Sequence, residues 1–147
     1  NKGEDFYMVG GMGHSSSVAV GYALNSKKKV FCLDGDGSIL MHLGALRTVG
    51  YLKNNNFKHI ILNNNSHESV GGQLTNAAGI DFNKFRESIG YRNYYKIENK
   101  NNIKNIIKKF INSNGPSLLE VKIKNGSLKN LSRPENLLKI KEKFMVN

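Results

Sequence analysis

An acid, an amide and two glycines stand where this chain can hold a hard divalent cation against a phosphate. Gly35-Asp36-Gly37-Ser38 follows the apolar run Val30-Phe31-Cys32-Leu33, and Asn63-Asn64 follows Ile60-Ile61-Leu62. Asp36 and Asn64 thus each sit just past the carboxyl end of a predicted strand, where open α/β sheets bind ligands. One carboxylate, one carboxamide oxygen and nearby main-chain carbonyls form an all-oxygen donor set. Such a set suits magnesium, which keeps few protein ligands and takes further oxygens from a bound phosphate. Gly35 and Gly37 let the backbone approach that phosphate, and a helix starting at Ser38 aims free N–H groups at it. Asp36 also fits a helix N-cap, a role compatible with ligation, and Asn63 fits a residue that holds the turn.

Two further segments carry candidate chemistry. Gly10-Gly11-Met12-Gly13-His14 breaks an apolar stretch and opens a helix. Met12, a flexible apolar side chain flanked by glycines, fits core filler. His14 and Ser15 either face an anion or are satisfied by local backbone. Just after the asparagine pair come Ser66-His67-Glu68-Ser69-Val70-Gly71-Gly72-Gln73. His67 either moves a proton, contacts an anionic substrate, or with Glu68 only orders the loop. A zinc site is excluded there, because no second histidine stands at helical spacing from the His67-Glu68 pair.

The elements that must position these residues alternate. Strands are expected over residues 6–9, 29–33, 58–62, 94–97 and 117–123. Helices are expected over residues 15–24, 39–52, 81–89, 102–111 and from Pro134 to Phe144, with Asp81 as an N-cap, Gly90 as a terminator and Pro134 in the first turn of the last helix. Residues 63–79 read as a long polar loop, a length usually tied to function. Strand–helix alternation predicts an α/β fold, a doubly wound and mostly parallel sheet with helices on both faces. Residues 1–125 form the predicted domain and residues 126–147 a polar tail with a helix, either an arm on a partner or partly disordered.

Bulk properties narrow the classes. The chain has 147 residues, one domain's worth with a real core. No run reaches membrane-span length, no signal peptide is visible, and the lone Cys32 forbids an internal disulfide, so a cytoplasmic setting without membrane association is expected. The formal charge is +11. Lysines cluster at residues 27–29, 96–109 and 122–143 among many asparagines, with no aromatic ladder, which favours solvated faces over nucleic-acid binding. The net charge favours anionic cofactor and substrate. A noncatalytic basic binding domain is the reading from another class.

Gly-Asp-Gly-Ser followed by Asn-Asn, each after an apolar strand, resembles the signature of the pyrophosphate-binding domain of thiamin-diphosphate enzymes. The resemblance runs from about Asp5 to about Lys122. It implies thiamin diphosphate and Mg2+ as cofactors. Asp36, the Asn64 side chain and the Ser66 carbonyl are the implied metal ligands, although Asn65 and Ser66 differ from the residues many members carry there. Gly35, Gly37 and Ser38 are implied to face the diphosphate, Ser38 through backbone and hydroxyl. Gly10, Gly11, Met12, Gly13 and His14 match the turn under the bent cofactor, with Met12 as the wedge and the Gly10 carbonyl as acceptor for the aminopyrimidine. The run from His67 to Gln73 is similar to the phosphonopyruvate decarboxylases, and Met-Gly-His-Ser to these and to the sulfopyruvate decarboxylases. His67, Glu68 and Ser69 are then the implied catalytic residues, beside the thiazolium end.

The same resemblance implies a lyase that releases carbon dioxide from a small anionic 2-oxo acid. Phosphonopyruvate, giving phosphonoacetaldehyde, is the first expectation and a sulfopyruvate decarboxylase beta-type subunit the alternative. The activating glutamate of such enzymes comes from a pyrimidine-binding domain, for which this chain has no room. A partner domain or subunit, and an oligomer, are therefore expected. The opening at Asn1, almost directly on an apolar stretch, predicts an excised or processed piece.

Overall fold

The computed structural model describes residues 5–127, 130–132 and 134–146, so those parts of the predicted tail that fall on residues 128–129, 133 and 147 lie outside the described residues. The apolar runs form four strands: β1 Val30–Gly35, β2 Phe57–Asn63, β3 Asn93–Ile97 and β4 Ser117–Lys122. They pair in the order β1-β2-β4-β3, every pair parallel. Parallel neighbours require crossover connections, which helices supply. The helices are α1 Ser15–Leu24, α2 Asp36–Met41, α3 Leu43–Leu52, α4 Phe82–Ile89, α5 Ile103–Asn112 and α6 Leu137–Met145. The α/β expectation holds.

The two faces of the sheet are covered unequally. Cys32, Phe57, Ile61 and Leu118 point to one face and pack with Val20, Leu46, Val49 and Phe82 from α1, α3 and α4. Burying a side chain as fully as Phe57 contributes about 2 kcal/mol. On the other face α5 lays Phe110 against Ile97 and Leu119 of β3 and β4. Among the described residues nothing comparable covers β1, whose Phe31 and Leu33 remain 43% and 61% exposed at the sheet edge.

Three expectations need correction. Residues 6–9 form no strand. Val9 N–H instead donates to Tyr7 O at 3.1 Å, and Phe6 packs on Phe144 of α6 with ring centroids 5.3 Å apart, so side-chain packing replaces a ladder. The single helix expected over residues 39–52 starts earlier, at Asp36, and is broken at His42 (φ −139°, ψ 50°). The last helix begins at Leu137, not in a turn containing Pro134, with the Asn136 side chain accepting the Lys139 N–H at 3.2 Å. Elsewhere the signals held. Asp81 accepts from the Asn83 and Lys84 N–H groups, and Gly90 ends α4 at φ +88°. At the α3–α4 crossing, Gly50 lets the backbones meet: a Cβ there would lie 1.8 Å from Ile89 O.

Candidate active site

The cation-site candidates converge at the carboxyl ends of β1 and β2. Register sets Gly35 opposite Leu62, so Asp36 and Asn63 leave neighbouring strands side by side. Thr75, from the far end of the long loop, ties the two exits together. Its hydroxyl donates to Asp36 Oδ2 at 2.5 Å, and its N–H donates to Asn65 O at 3.2 Å. Asp36 is 1% exposed, so this carboxylate is held inside the protein and not on a solvated turn. Asp36 sits inside the first turn of α2 with Gly35 at the cap position, so it is not the N-cap.

The asparagine turn is fixed from below. Asn63 is buried, its Oδ1 accepts the Asn65 N–H at 3.2 Å, and its Nδ2 donates to Glu120 Oε1 at 2.8 Å. Glu120 also accepts from the Tyr94 hydroxyl at 2.5 Å and pairs with Lys122 at 3.0 Å. Burial pushes the Glu120 carboxyl up, but the hydrogen bonds from Tyr94, Lys122 and Asn63 outweigh it and hold it below its ordinary range. Burial, together with the bond to Glu120, pushes the Tyr94 phenol well above its own. Asn64 Oδ1 accepts the Ser66 N–H at 3.0 Å, while Nδ2 donates to Glu68 Oε2 at 3.0 Å. Glu68 Oε1 accepts the Gly126 N–H, so Glu68 reaches both Asn64 and the start of the tail.

These residues fit a hard cation. The carboxylate of Asp36, the Asn64 carboxamide and the Ser66 carbonyl are all oxygen donors. An amide oxygen has two lone pairs, so Asn64 Oδ1 can keep the Ser66 N–H and still ligate. In the same loop Asn65 Oδ1 is buried without a hydrogen-bond partner among the described residues. A buried oxygen without a partner is one that a bound water or a cation can satisfy.

The glycine segments meet across the same corner. Gly13 N–H donates to Ser38 Oγ at 2.9 Å, and that hydroxyl donates to Asp34 Oδ1 at 2.6 Å. The Ser38 hydroxyl proton is therefore engaged inside the protein, leaving its N–H as the group for an anion. A Cβ on Gly13 (φ +88°) would lie 2.5 Å from the His42 ring, and one on Gly37 would lie 2.5 Å from the His67 ring. His67 is thus laid over the Gly-Asp-Gly turn. Met12 is half-buried, and Gly10 is exposed at φ +76°. Gly11 carries the Met8 side chain, whose sulfur a Cβ would meet at 2.8 Å. His14 is exposed, with Nδ1 3.3 Å from Met12 O and its ring 4.2 Å from that of His42. Glu68 and Ser69 are exposed.

Sequence reasoning missed Thr75, Asp34, His59, Glu120 and Tyr94. Asp34 carried a visible signal, a second acid two residues before Asp36. The others act through contacts between distant parts of the chain.

Comparison with known proteins shows the family. Residues 4–121 match the family described as thiamine pyrophosphate enzyme, C-terminal TPP binding domain. The chain is 36% identical over 135 residues to a phosphonopyruvate decarboxylase of Streptomyces viridochromogenes, covering 92% of this chain and 34% of that protein. It is 31% identical over 144 residues to a sulfopyruvate decarboxylase subunit beta of Methanococcus maripaludis, covering 97% of this chain and 76% of the relative. Among solved structures it resembles a chain described as a thiamin diphosphate-dependent enzyme isolated from Mycobacterium smegmatis, with TM-score 0.66, 26% identity, and coverage of 80% of this chain and 23% of that one. The chain thus spans about a third of the length of the phosphonopyruvate decarboxylase it matches. By its matched span and the strand-end pairing of Asp36 with the asparagine turn, the chain belongs to the thiamine pyrophosphate enzymes, as a C-terminal TPP binding domain.

Proposed function

We propose that this chain is the cofactor-binding part of a thiamin-diphosphate- and magnesium-dependent 2-oxo acid decarboxylase. Phosphonopyruvate is the substrate this reading favours. One observation carries it: Thr75 joins the buried Asp36 to the half-buried asparagine loop, so the two halves of the motif meet in one oxygen-rich corner. Asp36, Asn64 and the Ser66 carbonyl hold the magnesium. The N–H groups of the Gly-Asp-Gly-Ser turn face the diphosphate, Met12 supports the bend between the rings, and the Gly10 carbonyl accepts from the aminopyrimidine. His14 lies at the rim. His67, seated on Gly37, stands toward the substrate with Ser69, while Glu68 orients the Asn64 amide so that its oxygen faces the cation. When bound, the cofactor's thiazolium ring acts as an electron sink for the loss of carbon dioxide.

The activating glutamate comes from a pyrimidine-binding domain or subunit, and the working enzyme is an oligomer. Similarity to a relative named as a subunit beta, of which this chain covers 76%, supports that division and keeps sulfopyruvate as the second reading. Calorimetry in the presence of the pyrimidine-binding domain tests the metal assignment: thiamin diphosphate is expected to bind only with magnesium, and Asp36→Ala to abolish binding. Unchanged affinity in Asp36→Ala defeats it. Carbon dioxide release from phosphonopyruvate against sulfopyruvate separates the two substrates.

A further inference from the structure

We propose that Tyr91, His59 and Asp34 form a buried positioning chain that sets the Ser38 hydroxyl and so locks the turn at residues 10–13 onto the turn at residues 35–38. Its functional consequence rests on the cofactor-site reading above. The chain itself is independent of that reading.

Three of the four links join distant parts of the sequence, and the fourth, Ser38 to Asp34, spans four residues. Tyr91 Oη is 3.0 Å from His59 Nδ1, and His59 Nε2 is 3.4 Å from Asp34 Oδ2. Ser38 Oγ is 2.6 Å from Asp34 Oδ1, and Gly13 N is 2.9 Å from Ser38 Oγ. With Asp34 a carboxylate, only one arrangement of protons satisfies every group. Tyr91 O–H donates to Nδ1, Nε2–H donates to Asp34, the Ser38 hydroxyl donates to the other Asp34 oxygen, and Gly13 N–H donates to Ser38. Tyr91, His59 and Asp34 are all buried, where a satisfied series of hydrogen bonds is stronger and each link polarises the next. Burial first, then nearby Cys32 and Asp34, pushes the Tyr91 phenol well above its usual range, which keeps it a donor.

Gly13 supplies a second observation. Its missing side chain brings the turn so close to α2 that a Cβ would lie 3.1 Å from Ser38 O and 3.2 Å from Met41 Cβ. Hydrogen bond and close packing therefore fix the same junction. Cys32, Asp34 and His59 also place their ligand atoms within 4.8 Å of one another, the outline of a metal site. The hydrogen-bond series explains that cluster without a metal: His59 is engaged at both nitrogens, and burial, then Asp34, pushes the Cys32 thiol far above its normal range, against the thiolate a metal needs. The consequence is preorganisation. Met12 and the Gly10 carbonyl are set at their height before any ligand arrives, so less ordering remains for binding to supply. Tyr91, His59 and Asp34 act through Ser38 and are positioning residues.

Amide hydrogen exchange on the full chain, without cofactor, tests the proposal. Gly13 N–H is expected to be protected in the wild type. Ser38→Ala should speed its exchange about tenfold, the effect of one lost hydrogen bond. His59→Phe should do the same, whereas His59→Gln, which keeps an N–H for Asp34, should retain most of the protection. If His59 were only core filler, the order would reverse, with Phe tolerated better than Gln. An unprotected Gly13, unchanged exchange in Ser38→Ala, or equal exchange in the two His59 variants overturns the proposal. Because Ser38 is only partly buried, its alanine variant remains informative even where His59→Phe fails to fold. Titration of thiamin diphosphate with magnesium on the same proteins, with the pyrimidine-binding domain, is a separate arm. Failure of the wild type to bind refutes the cofactor reading and leaves the Gly13 result to decide the chain. Weaker binding in Ser38→Ala and His59→Phe, restored in His59→Gln, supports both.

Discussion

Truncating Glu120 tests whether the floor of the asparagine turn holds the domain as well as the site. Glu120 is 3% exposed and accepts from Asn63 Nδ2 at 2.8 Å, Tyr94 Oη at 2.5 Å and Lys122 Nζ at 3.0 Å. In Glu120→Ala the buried Asn63 amide loses its partner, which costs about 2 kcal/mol. The half-buried Tyr94 hydroxyl regains water in part and adds about 1 kcal/mol. The partly exposed Lys122 pair contributes less than about 1 kcal/mol. The expected loss is therefore about 3 kcal/mol, and Glu120→Gln, which keeps the shape, should lose about 1 kcal/mol. Urea denaturation of the full chain at neutral pH measures both. Because the folded-state pKa of Glu120 is held below its ordinary value of 4.5, its ionisation contributes stability that is present above that value. That contribution drains away as pH falls through the lower folded value. The wild type should thus lose stability in that acid window by more than Glu120→Gln does. Equal denaturation midpoints for wild type and Glu120→Ala, or equal acid slopes for wild type and Glu120→Gln, would refute the reasoning. Asn63 also holds the Asn65 N–H, so the same truncation should weaken magnesium-dependent cofactor binding.

Gly50→Ala places a methyl group 1.8 Å from Ile89 O, a backbone atom that cannot swing aside, so α3 and α4 must separate. A thermal melt should show a loss of about 3 kcal/mol or more. Gly37→Ala presses on the His67 ring and, at 2.9 Å, on Thr75 Cγ2, which holds Asp36. Calorimetry should show cofactor affinity falling further than the melting temperature predicts. Burial, then the charge of Lys29, pushes Lys58 down to about 8 from its ordinary 10.5, so folding favours its neutral form. Stability from this group should rise with pH between those two values. Lys58→Met should flatten that rise in denaturation curves.

Periodicity was enough to expose the parallel sheet, because its two central strands, β2 and β4, are largely buried on both faces and read as mostly apolar runs. The strands expected over residues 58–62 and 117–123 became β2 and β4 within one residue of those bounds at each end. Caps were legible where chemistry is local, as at Asp81 and Gly90. What failed was non-local. The apolar residues 6–9 look like a strand, but a strand exists only with a neighbour, and theirs is an aromatic contact with Phe144. The break at His42 falls inside a pattern that is helical throughout, where the docking of Gly13 and His14 against α2 and His42 is invisible to any local window. At the site, Asp36 and Asn64 stood out by type and by strand-end position. Thr75, 39 residues from Asp36, carried no mark of its role. The same holds for His59, which reads as one polar residue in an apolar run until Asp34 and Tyr91 are seen on either side of it.

The bare flank of β1 has a bearing on how the protein behaves in solution. Phe31 and Leu33 are exposed on a strand whose outer backbone groups have no ladder partner among the described residues, the kind of margin along which separate molecules adhere. Opposing this is a charge of +11, which makes copies repel one another at a distance. That repulsion reaches only about 10 Å at 0.1 M salt and about 3 Å at 1 M. Raising the ionic strength therefore removes the barrier and leaves the adhesive flank intact, so a dilute, low-salt buffer keeps molecules apart and a concentrated brine drives them together.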